Sequence, residues 1–259
     1  MVISFNQAAV VAHDGATILH PVSLTLTEQR VSVIGANGSG KSTLARLING
    51  LVEPSSGSVS ILPPQLREGV AAAGSAAAAD GTDRHGATSA TAPALDTVAD
   101  GPAVRRAVGF VFTDPAAQLI MPTVIEDVEL SLRRSHKHAG DRRAAALTAL
   151  ARFGLDGFAE RSVHALSGGQ QQLLAIATVL ATNPRILVTD EPTTLLDLRN
   201  TSVIADLLLS LPQQVVIVTH NLELAARADR TLVVSDGHVV FDGEPHAAIA
   251  HYRASVAAA

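Results

Sequence analysis

The chain has 259 residues, 47 % of them hydrophobic and only 3 % aromatic, so its interior must be built from Ala, Val, Leu and Ile. The formal net charge of -5 gives no general attraction for nucleic acid or anionic lipid. The absence of cysteine excludes disulfides, thiol catalysis and cysteine-ligated metals, and no run of roughly 18 apolar residues offers a membrane span.

The N-terminal stretch, 1–30, reads as short strands and turns. It lacks the basic start and apolar run of a signal peptide, and 22–26 alternates as a half-buried strand should. A short apolar run, 31–34, leads into a glycine-rich stretch. Residues 42–49 then have helical spacing, with Leu44, Leu47 and Ile48 on one face and Gly50 as the stop. Residues 67–102 are small, polar and repetitive, with no large apolar residues to bury. They read as a low-complexity surface loop without fixed structure.

An apolar strand resumes at 108–112, and 123–161 is mostly helical. Within it, 142–153 sets Leu147, Leu150 and Phe153 near one face, and Gly154 ends the helix. Three further apolar strands follow, 186–188, 215–218 and 232–234, separated by helical segments. Strands alternating with helices indicate an α/β fold with a mainly parallel sheet.

Gly35-Ala36-Asn37-Gly38-Ser39-Gly40-Lys41-Ser42-Thr43 matches the phosphate-loop pattern, with a strand before it and a helix after it. The glycines let several backbone N–H groups face one centre, and the helix adds its positive end. Lys41 is placed to reach the β- and γ-phosphates of ATP. Ser42 offers a hard oxygen to Mg²⁺. The strand 186–188 runs on into Asp190 and Glu191, two carboxylates that in a phosphate-loop enzyme can hold the metal through water and orient an attacking water. Leu166-Ser167-Gly168-Gly169-Gln170 opens another long helix and so makes a second anion-binding helix start in the same chain.

With these three motifs in this order, the sequence resembles the ATP-binding-cassette family over essentially its whole length. The resemblance implies one cassette domain, 1–259, with a phosphate-loop core sheet, an N-terminal antiparallel β part and a helical subdomain inserted at 113–168. It implies a head-to-tail dimer, with each ATP between one subunit's phosphate loop and the other's signature, where Ser167 and Gly169 contact the partner's γ-phosphate. Asp197 matches the acidic member of the loop that crosses the dimer interface. His220, after the strand 215–218, matches the switch histidine that touches the γ-phosphate and helps hold Glu191 and the water.

Two positions depart from the family pattern. Thr113 stands where a glutamine usually contacts Mg²⁺ and water. The aromatic that stacks on adenine is missing, with His13 or Val11 in its place. The stretch 109–128, with Pro115-x-x-Gln118, resembles energy-coupling-factor ATPases, in which it helps form a groove for coupling helices of a transmembrane partner. Residues 190–200 look most like the biotin-type member. The implied protein is a peripheral ATPase on the cytoplasmic face of a membrane, paired with a second ATPase subunit, a transmembrane coupling protein and a substrate-binding membrane protein. Cobalt- or nickel-type importers and non-transport cassette ATPases are the alternatives. The basic run from Arg133 to His138, with Arg142 and Arg143, reads either as a solvated loop or as a contact for phospholipid headgroups or an acidic partner loop.

Overall fold

The computed structural model describes residues 1–63 and 93–258. Among these, the chain builds two sheets. The first is antiparallel, in the order β2-β1-β4-β5, from β1 (Val2–Val11), β2 (Thr17–Leu26), β4 (Ser56–Leu62) and β5 (Leu95–Asp96). β1 and β2 are long strands of 10 residues each, not the short ones that the sequence pattern predicts. The reason is local: β1 changes its buried face at an irregularity in register beyond Phe5, where Gln7 takes φ 48°, and this breaks the alternation by which a strand is recognised.

The second sheet has the order β10-β9-β3-β8-β7-β6, built from β3 (Arg30–Ile34), β6 (Val108–Val111), β7 (Ile186–Asp190), β8 (Gln214–Val218), β9 (Arg230–Ser235) and β10 (His238–Gly243). Five of these strands are parallel, and β10 returns antiparallel to β9. Every residue of β3, β6, β7 and β8 is buried, as expected where a parallel sheet is covered on both faces. β8 lies between β3 and β7, so the strand that ends in Asp190 is not the immediate neighbour of the strand that enters the phosphate loop.

Helix α1 (Lys41–Ile48) runs between the two sheets. Its Leu44, Leu47 and Ile48 join Ile3, Phe5, Leu19 and Leu26 from one sheet and Val33, Val188 and Val216 from the other in one apolar cluster. The expected face of α1 is the one that packs. Helix α2 (Gly101–Ala107) precedes β6. The loop expected over 67–102 falls largely outside the described residues. Its last ten, 93–102, hold β5, which pairs with β4 at Leu95 and Asp96, and the first turn of α2, so regular structure resumes earlier than the composition predicts.

Helices α3 (Val124–Leu132), α4 (Ala139–Ala151) and the start of α5 (Gly168–Ala181) enclose a second apolar cluster, with Leu119, Val128, Leu132, Leu150, Leu155, Val163 and Leu174. α3 starts at a capping box, in which the Thr123 hydroxyl accepts from the Glu126 N–H and the Glu126 carboxylate accepts from the Thr123 N–H. In α4 the inward residues are Ala146, Ala149 and Leu150, while Leu147 is 38 % exposed, contrary to the face expected from the leucine spacing. Two alanines line the contact, and the leucine stripe does not decide it.

α6 (Leu198–Ser210) docks its C-terminal end on a buried guanidinium. Arg30 donates to the carbonyls of Leu209, Leu211 and Gln213. A cation there complements the negative end of the helix. Burial lowers the Arg30 pKa, and the nearby Asp229 opposes that shift. The short α7 (Leu222–Ala225) and the C-terminal α8 (Pro245–Ala257) cover the β9 side of the sheet around Ile34 and Val233.

Candidate active site

The phosphate loop leaves β3 at Gly35, which has φ 151°. A Cβ there would lie 2.0 Å from the Val234 carbonyl oxygen, so only glycine lets the loop pass this close to β9. Lys41 is buried at the first position of α1, and its Nζ donates to the Ala36 carbonyl at 2.7 Å, across the curve of the loop. Burial lowers the Lys41 pKa, and the carboxylates of Glu191 and Asp190 act in the opposite sense.

Ser42 and Asp190, from α1 and the end of β7, meet beside this loop. The Ser42 hydroxyl donates to Asp190 Oδ1 at 2.8 Å. Asp190 is only 1 % exposed, and its other oxygen accepts from Arg46 Nη2 at 3.1 Å. Arg46 was not singled out from the sequence. Its distance of 144 positions from Asp190 leaves no local signal. Among the described residues no three His, Asp or Glu side chains cluster as a protein-only metal cage. Two hard oxygens beside a phosphate loop suit Mg²⁺, which completes its shell with substrate phosphates and water. ATP-binding-cassette enzymes in general use ATP with Mg²⁺, and the donor set here fits that ion.

Glu191 follows β7 with φ 52°, a left-handed conformation that a non-glycine residue adopts only when its surroundings hold it. Three contacts converge on its Oε2: the His220 N–H at 3.2 Å, the Thr194 hydroxyl at 3.2 Å and His220 Nδ1 at 2.6 Å. Its own N–H donates to the Val218 carbonyl at 2.9 Å, which ties it to the end of β8. The contact fixes the imidazole ring of His220 against Glu191 through Nδ1.

These side chains border an open cleft of about 700 Å³, lined by Gly35, Ala36, Asn37, Thr113, Glu191, Thr194, His220 and Tyr252. Tyr252, on α8, is the chain's sole tyrosine and was missed in the sequence. Its surroundings on α8 are mostly small residues, and only the fold brings that helix to the cleft. Thr113 lines the cleft as its position after β6 implied. Behind it, Gln118 turns back so that its side-chain carbonyl accepts from the Phe112 N–H at 3.1 Å. The next stretch is braced by the buried Asp127, whose Oδ1 accepts from the N–H groups of Ile120 at 2.9 Å and Met121 at 3.1 Å. Leu119 is thereby sunk into the helical cluster at 7 % exposure, while Ile120 stands out at 70 %.

The signature residues are elsewhere. Ser167 caps α5: its hydroxyl accepts from the Gln170 N–H at 3.3 Å, and the Gln170 side chain accepts from the Ser167 N–H at 2.9 Å. A Cβ on Gly169 would come within 2.6 Å of the Asn200 side chain. Asn200 is itself held by Asp197, the cap of α6, through bonds of 2.8 and 3.0 Å. Signature and Asp197 are thus packed together, yet none of Ser167, Gly168, Gly169, Gln170 or Asp197 lines the cleft. His13 sits exposed in the turn after β1 and is not among the cleft-lining residues, and Val11, at the end of β1, is exposed as well.

Comparison with known proteins agrees with this arrangement. The family model described as ABC transporter matches residues 19–194. The biotin transport ATP-binding protein BioM of Rhizobium etli is 38 % identical over 253 residues, covering 98 % of each chain. Among solved structures, cbiO1 from Clostridium perfringens, part of the ABC transporter complex cbiONQ, superposes with a TM-score of 0.75 at 27 % identity, covering 97 % of this chain and 92 % of that one. The ATP-binding cassette MJ0796, solved as a dimer in a post-hydrolysis state bound to ADP and Pi, gives a TM-score of 0.72 at 28 % identity over 94 % of this chain and 98 % of that one. A phosphate loop joined to an acidic strand end, a capped glycine signature and a family match across the core show that this chain belongs to the ABC transporter family and is an ATPase.

Proposed function

We propose that this chain is the ATP-hydrolysing subunit of an energy-coupling-factor importer, that it closes head-to-tail on a second ATPase subunit around two ATP molecules, and that it drives uptake of biotin. The observation that carries ATP hydrolysis in this reading is the Glu191–His220 pair at the mouth of the phosphate loop, with three contacts on one carboxylate oxygen.

Each residue has a role in this scheme. The backbone N–H groups from Gly35 to Thr43 cradle the phosphates, and Lys41 exchanges the Ala36 carbonyl for β- and γ-phosphate oxygens. Ser42, and Asp190 through water, would hold Mg²⁺, which would neutralise phosphate charge. Glu191 accepts a hydrogen bond from the attacking water and orients it in line with the γ-phosphorus. His220 holds Glu191 through Nδ1 and turns Nε2 toward the γ-phosphate. Thr113 lines the same cleft with a shorter side chain than the family's glutamine and reaches the water through a second water. The base lies toward the β1–β2 turn, against His13 or Val11. Ser167, Gly168, Gly169 and Gln170 complete the partner's site, and Asp197 lies at the dimer seam.

Support for a membrane partner comes from the loop after Thr113. Asp127 fixes its backbone, and the fixed loop presents Ile120 to solvent. In this reading the displayed Ile120 side chain serves as a contact for the partner. Among the described residues no helix is long and apolar enough to cross a membrane. Biotin as the cargo rests on likeness to BioM over nearly the whole chain.

The test is co-expression with candidate membrane partners, followed by co-purification and uptake of labelled biotin, cobalt and nickel. Ile120→Glu is expected to leave ATP binding and melting temperature unchanged while abolishing co-purification and uptake. Full co-purification of this variant overturns the docking role of the loop. ATP-driven uptake of a metal in place of biotin overturns the cargo.

A further inference from the structure

A second cleft, of about 390 Å³, opens at the far end of β6 from Thr113. It is lined by Arg105 and Arg106 at the end of α2, Leu130, Ser131, Arg134 and Ser135 around the end of α3, and Thr182 after α5. Three arginines therefore border one concavity whose lining residues include no Asp or Glu, with the Arg105 guanidinium folded back beside Gly101. Several other arginines are held by partners, whereas Arg133, Arg199 and Arg253 are, like these three, without a side-chain hydrogen bond or ion pair among the described residues. Arg46 pairs with Asp190, Arg143 with Glu160, Arg227 with Asp206 and Arg230 with Asp242, and the buried Arg30 spends its donors on carbonyls. The side chains of Arg105, Arg106 and Arg134 make no hydrogen bond or ion pair among the described residues, although the chain as a whole is acidic.

Like charges gathered without a counter-ion repel one another, and that repulsion is relieved by an anion. The available donors set its class. Each guanidinium offers planar, paired N–H groups that match phosphate oxygens two at a time. The hydroxyls of Ser135 and Thr182 already donate to the carbonyls of Leu132 and Val179, which leaves Ser131 as the hydroxyl free to donate. The neighbouring Arg133 and Lys137 extend the positive field, so the cleft accounts for part of the basic run seen in the sequence.

We propose that this cleft binds a phosphate-bearing anion, bridged between Arg105 and Arg106 of the core and Arg134 of the helical part. Two sources share that chemistry: a free phosphate or diphosphate compound, and the headgroup of an anionic phospholipid. Because the two sets of arginines sit on α2 and beyond α3, an occupant ties the helical part to the core and raises the stability of their junction.

The test uses the full chain with its phosphate loop saturated by MgADP, so that added anion reports on the second cleft. Calorimetric titration with pyrophosphate is expected to show one site in the wild type. Binding should weaken at least tenfold in Arg105→Gln/Arg106→Gln/Arg134→Gln, with ADP affinity unchanged and the pyrophosphate-induced rise in melting temperature lost. Co-sedimentation with phosphatidylglycerol vesicles, against phosphatidylcholine controls, separates the sources. Vesicle binding that pyrophosphate displaces and the triple variant loses identifies lipid. Pyrophosphate binding without vesicle binding identifies a free anion. Should the triple variant fold poorly, the exposed Arg134→Gln alone carries the same comparison. Binding that survives loss of the arginines, or no arginine-dependent binding in either assay, overturns the proposal.

Discussion

The two glycine-rich helix starts of this chain, at the phosphate loop and at the signature, are built on opposite principles. At the phosphate loop, side chains distant in sequence converge: Lys41 on Ala36, Ser42 and Arg46 on Asp190, and His220 and Thr194 on Glu191. At the signature, the Ser167 and Gln170 side chains each accept from the other's backbone N–H, and Gly169 is pressed on Asn200. The first start faces a cleft formed by its own chain, and the second faces none of it. In the proposed head-to-tail reading, this self-capped helix start serves a ligand that another subunit carries. The neighbouring Leu195 and Leu198 are exposed at 64 % and 88 %, as a surface awaiting cover would be.

The largest effect is expected where convergence is densest. Glu191→Gln should keep ATP affinity but lower steady-state hydrolysis by about 10²-fold or more, since the amide cannot polarise water as a carboxylate does. Gel filtration with ATP should show the variant as a stable dimer. Near-normal turnover in this variant would remove Glu191 from the chemistry and reduce the contrast to packing alone.

The next effect belongs to the signature. Gly169→Ala drives a methyl group into Asn200, which Asp197 holds, so the start of α5 must shift. Hydrolysis should fall by about 10- to 10²-fold, because small displacements of positioning groups are costly. Nucleotide binding by the monomer, read by calorimetry, should not change. Adding Asn200→Ala makes room for the methyl group and should restore part of the rate. Loss of monomer binding in Gly169→Ala would place the signature in its own chain's site.

A smaller effect is expected at Thr113. Replacement by Gln restores an amide that both donates and accepts at the edge of the cleft, and basal hydrolysis should rise by a few-fold. Equal rates for the wild type, Thr113→Gln and Thr113→Ala would make the residue a spacer.

The same contrast governs what could be read from the sequence. The phosphate loop, the acidic end of β7 and the signature are compact motifs, and each is legible because its spacing alone sets the local backbone. β3, β7, β8 and β9 were legible as apolar runs because a covered parallel sheet hides both faces. What escaped depends on partners far along the chain. β5 is two residues long and exists through its pairing with β4. Arg46 acquires its role from Asp190, and Tyr252 from a C-terminal helix folded back to the cleft. Leucine periodicity misplaced the inner face of α4, where Ala146 and Ala149 turn inward and Leu147 turns out.

The claim that one chain's signature serves another chain's ATP is open to a direct measurement, helped by the absence of native cysteine. Two preparations carry Glu191→Gln, one with Asn37→Cys in the phosphate loop and the other with Ser167→Cys at the signature. They are mixed with a short bis-maleimide linker and separated on a reducing gel. A linked species of twice the chain mass, containing one of each by mass spectrometry and formed only with MgATP, is the expected result. If the two preparations never link, while a single chain carrying both cysteines links internally under the same conditions, the signature belongs to its own chain's site and the two-subunit account is wrong.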